Sequence, residues 1–198
     1  MPGNPETRRR LSKWCETVGP VLFKADPVAM AARPVEALAI VSWNIHEGAG
    51  DIDDLIRRLR RGEFTDGEAV EQFVLLLQEV TRRDGGVPSQ MPRGDPVPRR
   101  IEGRSGSHDG DIRRLIDQGL AVFYAPSMRN GDTGDEDRGN AIVSTLPLTE
   151  PAAIELPLER QRRVVITAAV EGSTNSGRPW HLSLVDVHLD TALALRHG

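Results

Sequence analysis

Polar residues able to do chemistry stand where the apolar stretches of this chain end. Leu38 to Gly48 reads LAIVSWNIHEG; on a two-residue period Ile40, Ser42, Asn44 and His46 share one face, and Val41, Trp43 and Ile45 the other. An amide, an imidazole and a carboxylate (Asn44, His46, Glu47) therefore arrive together as the strand gives way to Gly48 and Gly50. Such a strand end is a common way to build a site in an α/β protein; a core strand running into a polar loop is the plainer reading. Phe73 to Val80, FVLLLQEV, is five apolar residues and then Gln78 and Glu79, which predicts a strand covered on both faces. A carboxylate emerging from such a strand is costly to bury unless it is paired or bound to a metal. In SLVDVHLD (Ser183 to Asp190), Asp186, His188 and Asp190 take one face and Val185, Val187 and Leu189 the other. Carboxylates at i±2 favour a charged imidazole, suited to a phosphate oxygen; a hydrogen-bonded core histidine is the alternative.

The order of these motifs carries a resemblance. A strand ending in W-N-I, a second ending in L-Q-E-V, then DRGNAIVSTLPL (Asp137 to Leu148) and SLVDVHLD resemble the endonuclease/exonuclease/phosphatase superfamily, the deoxyribonuclease-I-like fold. The resemblance implies an α+β sandwich of two mixed sheets with outer helices. It implies hydrolysis of a phosphate ester (nucleic acid, phospholipid headgroup or small molecule) by magnesium-assisted attack of water, with manganese as a substitute. Glu79 is expected as the direct metal ligand and Asn44 as part of the same metal site. His188 is expected against the scissile phosphate, and Arg138 and Asn140 beside the substrate cleft. Arg138 has a second reading, a salt bridge to Asp135, Glu136 or Asp137. The family form places Asn-Thr before this His, whereas Asp186-Val187 stand here, which puts a role for position 186 in doubt. The family's later D-x-N run and its Asp-His pair have no counterpart, since His197 does not follow an Asp. Residues 38–198 therefore read as a C-terminally incomplete domain, and a non-enzymatic remnant or binding module of the same fold is the competing reading.

The elements that must position these residues follow from pattern. DIDDLIRRLRR (Asp51 to Arg61) places Ile52, Leu55, Ile56 and Leu59 on one helical face, with acids in the first turn and arginines in the last. That makes Asp51, Asp53 and Asp54 helix-start residues, because Leu55 and Ile56 break the oxygen spacing of a calcium loop. A second helix is expected over Asp111 to Gln118, closed by Gly119. Strands are expected at Leu120 to Tyr124, Ala141 to Ser144, Ala152 to Leu156, and Arg163 to Val170 paired with His181 to Leu189. Ser127 to Asn140 reads as a polar loop, and ERQRR (Glu159 to Arg163) as a solvated turn rather than a phosphate clamp. Thr81 to Asp109, rich in proline and carrying Arg82, Arg83, Arg93, Arg99, Arg100 and Arg104, reads as a solvated loop or a phosphate-facing one, without aromatic residues for base stacking.

Composition bounds the rest. In 198 residues, 38% apolar and 27% charged, one soluble domain of ordinary size is expected. The net charge of −4 supplies no basic field towards nucleic acid or anionic membrane, and the single Cys15 permits no internal disulfide. No apolar run approaches the roughly 18 residues of a membrane span. Residues 1–37 read as an N-terminal extension in which Leu11, Trp14 and Val18 recur at helical spacing. Lys24 and Asp26 interrupt its short apolar run, so an unexported, cytoplasmic chain is expected. Oligomeric state is left open.

Overall fold

A computed structural model describes residues 4–27, 34–89, 111–130, 135–158 and 161–189. In chain order the elements are α1 (Pro5–Glu16), β1 (Leu22–Lys24), β2 (Ala39–Asn44), α2 (Ile52–Arg60), β3 (Phe73–Arg83), α3 (Ile112–Asp117), β4 (Ala121–Arg129), β5 (Glu136–Ser144), β6 (Thr149–Glu155), β7 (Val164–Ser173) and β8 (Pro179–Val187). They form an α+β fold with two sheets, one of five strands ordered β1-β4-β5-β3-β2 and one of three ordered β6-β7-β8. The first sheet is mixed, because β2 and β3 run parallel while its other pairs are antiparallel. The second is antiparallel throughout its described pairs, which corrects the expectation of two mixed sheets.

The apolar run of β3 serves two cores at once. Phe73, Leu75 and Leu77 pack with Ile52, Ile56 and Leu59 of α2 and with Ile112 and Leu115 of α3. Val74 packs instead between the sheets, with Phe123, Ile142, Ile166 and Leu184. Val41 and Trp43 belong to the helix-side core and Leu76 to the inter-sheet one, as the alternation of side chains along strands requires. The helix at 52–60 starts as expected, with the Asp51 side chain accepting from the Asp54 amide at 2.8 Å. Asp53 then reaches across to Arg114 and Gln118 of the α3 region, docking the two helices together.

Two expectations need correction. Residues 4–27 are part of the domain, not an extension: β1 pairs antiparallel with β4, and α1 buries Leu11 and Trp14. The Gly19 amide donates to Asp137 at 2.7 Å, so the chain after α1 is tied to the sheet. Of the expected polar loop Ser127 to Asn140, residues 127–129 and 136–140 are strand, and residues 131–134 lie outside the described residues. β4 and β5 run out as a ladder whose polar residues are buried, and Asp137 accepts from Tyr124 Oη at 2.7 Å. Those residues looked solvated only because their partners are distant in the chain. Arg82 likewise is an internal tie, donating to both oxygens of Asp84 and to Pro20 O, while residues 90–110 of the arginine-rich segment lie outside the described residues. Among the described residues no helix is long and apolar enough to cross a membrane.

Candidate active site

The parallel register from Ala39↔Phe73 to Asn44↔Gln78 brings the ends of β2 and β3 to one edge of the sandwich. Asn44 Oδ1 accepts from the His46 amide at 2.9 Å, and the next residues turn back through positive φ at His46, Glu47 and Gly48. That turn aims the Glu47 amide at Glu79 Oε2, 2.7 Å away. Glu79 has a φ of 61° and is the extra residue of a bulge, because Gln78 pairs with Asn140 and Val80 with Gly139. A left-handed conformation in a non-glycine residue costs on the order of 1–3 kcal/mol and is held only where its surroundings enforce it. Regular alternation after Gln78 would send Glu79 towards the helices. The bulge instead turns its carboxylate to the end of the inter-sheet gap, where Oε1 lies 3.7 Å from Nδ1 of His188, just past β8.

A second bulge, between Pro126 and Met128, faces the first across β5. Gly139 stands between them, and a Cβ there would fall 2.1 Å from Ala125 O and 2.7 Å from Pro126 Cα. Both obstacles are backbone, so Gly139→Ala is expected to lose about 3 kcal/mol or more of stability. Urea unfolding measures this; a variant as stable as the parent would show that the strands can part freely.

Arginines surround the two bulges, and they are engaged inside the protein. Arg138 forms an ion pair with Glu47, lies 3.4 Å from Met128 Sδ, and is 8% exposed. This replaces the expected bridges to Asp135, Glu136 or Asp137. Asn140 is 1% exposed and donates from Nδ2 to Val164 O at 2.9 Å. Both residues, expected beside the substrate cleft, are buried and engaged within the protein, Arg138 bracing the 46–48 turn and Asn140 tying the sheets. Arg163, also buried, approaches the imidazole of His188. Its Nη1 is 3.2 Å from His188 Nδ1, and its Nη2 donates to Gln161 Oε1 at 3.0 Å. Guanidinium nitrogens only donate, so this contact is a hydrogen bond when Nδ1 carries no proton, while Glu79 Oε1 faces the same nitrogen at 3.7 Å. Of the expected flanking carboxylates, Asp186 turns inwards to Gln78, and Asp190 lies outside the described residues.

A crystal structure titled endonuclease/exonuclease/phosphatase, from Beutenbergia cavernae DSM 12333, is similar to this chain. The two are 21% identical, with a TM-score of 0.44, over 76% of this chain and 38% of that one. In that comparison this chain spans well under half of the other's length. No family model matches the chain, and no curated protein matches it.

The remaining geometry concerns acids beneath the edge. Gln78 Nε2 donates to Asp186 Oδ1 at 2.5 Å, and burial raises the Asp186 carboxyl to about 7. Asp137 is raised to about 6, again by burial. Oxygen donors at the edge itself are the Glu79 carboxylate and the Asn44 side-chain carbonyl; among the described residues no three or more His, Cys, Asp or Glu gather into a metal cage. Arg163 was misjudged from sequence because ERQRR looks like a solvated run. Its two last arginines in fact diverge, Arg162 to Glu155 and to Pro126 O, Arg163 to His188. The usable signal was the β7–β8 hairpin, whose register of Val165↔Val187 carries position 163 to the end of the strand that bears His188.

Proposed function

We propose that this edge is the phosphate-ester hydrolysis site that the superfamily resemblance implies, acting on a phosphodiester or phosphomonoester with magnesium. The supporting observation is the convergence of Glu79, on a strained bulge of one sheet, with His188 and Arg163 of the other. Glu79 and Asn44 would hold the ion. A carboxylate and an amide oxygen suit magnesium, which takes oxygen ligands and keeps several waters, so a full protein cage is not needed. When bound, the ion neutralises charge gathering on the phosphoryl oxygens. The Glu47 amide fixes the carboxylate that faces it, and Arg163 fixes the tautomer of His188 so that Nε2–H donates to a phosphoryl oxygen. His188 would meet substrate at the rim, while Arg163, Arg138 and Asn140, all buried, support it from below.

The test is hydrolysis of a chromogenic phosphodiester, a chromogenic phosphomonoester, DNA and RNA with magnesium or manganese. His188→Ala is expected to slow turnover by roughly 10²–10⁴-fold, with the metal concentration for half-maximal rate unchanged. A marked shift in that concentration would make His188 a ligand. Inorganic phosphate binding without turnover of any ester would favour the binding-module reading.

A further inference from the structure

We propose that Gln78 and Asp186 are a positioning pair, whose hydrogen bond across the inter-sheet gap sets Glu79 and His188 against each other. This rests on the proposed function for its consequence, but its geometry stands by itself. In the first sheet Asn44, Gln78 and Asn140 are register neighbours in one row, the last polar row before the edge. Two members of that row cross to the second sheet. Asn140 binds a backbone carbonyl, Val164 O, which joins the sheets without regard to side-chain orientation. Gln78 binds a side chain, Asp186, at 2.5 Å, and also donates to Leu76 O at 3.1 Å, so both bonds leave from its Nε2 and fix the direction of that nitrogen.

The place of the pair in the chain gives it its effect. Gln78 is the residue before the bulged Glu79, and Asp186 precedes His188 by one step of the same strand face. Asp186 is 2% exposed, and its Oδ2 has no hydrogen-bond partner. A buried acceptor left in that state is destabilising, and an apolar residue would pack this gap at less cost. Stability alone therefore does not account for a carboxyl here. Side chains that orient the groups contacting a ligand or metal typically alter function by roughly 10–100-fold when removed.

Four variants of the full chain test the pair: Q78M, which matches the volume but lacks the donor; Q78N, one methylene short, should Q78M fail to fold; D186L; and D186N, which retains an acceptor for Gln78. The first readout is the NMR signature of the His188 ring nitrogens, identified by its loss in H188N. The parent and D186N should show one tautomer, protonated on Nε2. Q78M, Q78N and D186L should show mixed tautomers while remaining cooperatively folded. The second readout is kinetic: kcat of Q78M falls by roughly 10–100-fold with KM within about two-fold. Folded Q78M or Q78N together with folded D186L, all with parental ring nitrogens, would overturn the pair. A parent that hydrolyses no ester would overturn the proposed function alone, and the ring-nitrogen spectra would still decide whether the pair exists.

Discussion

Glu79→Gln should abolish metal-dependent hydrolysis, lowering the rate by at least roughly 10²–10³-fold, while leaving the unfolding midpoint almost unchanged. The substitution is nearly isosteric. The new side-chain oxygen can still accept the Glu47 amide that Glu79 Oε2 now accepts at 2.7 Å, so the turn at residues 46–48 keeps its anchor. The backbone at φ 61° is equally uncomfortable for Gln and Glu, so strain cancels from the comparison. What disappears is the carboxylate at the end of the gap, which the proposed magnesium site relies on. Manganese binding, followed by electron paramagnetic resonance, gives a readout independent of turnover and should weaken in parallel. Parental turnover in the Gln variant at saturating magnesium would remove Glu79 from the site.

Stability should fall as pH rises from about 4 to about 7, the reverse of ordinary acid denaturation. Burial raises Asp186 from 3.8 to about 7 and Asp137 from 3.8 to about 6. The folded chain therefore holds these protons where the unfolded chain has released them. Their contribution is complete below about pH 4 and is lost as pH passes through the raised values. With one unit worth about 1.36 kcal/mol, Asp186 alone corresponds to a few kcal/mol across that window. Asp84, lowered chiefly by its hydrogen bonds from Arg82, acts in the opposite sense on the acid side, so the maximum should lie near pH 4 to 5. Asp186→Asn, neutral at every pH, should raise the melting temperature at pH 8 and flatten the profile between pH 5 and 8. Calorimetry of both proteins in the absence of metal decides it; parallel profiles would show that the Asp186 charge is not desolvated.

The strand ends were legible because a rule of local chemistry exposes them. Asn44 and Glu79 follow apolar runs that no helix period fits, and α2 announces itself through Ile52, Ile56 and Leu59 together with the Asp51 cap. Arg138 and Asn140 were read towards solvent because a sequence shows polarity without showing partners. Glu47 and Val164 O, which engage them, lie far away in the chain. β1 was missed because three residues carry no period, and only pairing with β4 makes them a strand.

By itself the sequence determined the order of the strands after β1, the helix that follows β2, and the residues standing at two strand ends. These depend on alternation and capping, which act over a few residues. Tertiary structure decided which face of each strand is inside. At the end of β8 a carboxyl is buried and a valine is not: Asp186, on the face of Trp180, Leu182 and Leu184, is 2% exposed, and Val185, on the other face, 57%. Alternation predicts that two faces differ; it does not say which face a second sheet will cover. Tertiary structure also decided where Glu79 points, because a bulge is a mismatch between two strands and exists in neither alone. The meeting of Glu79, His188 and Arg163 is of the same kind, a product of two sheets packed face to face, and so could not be read from any single stretch.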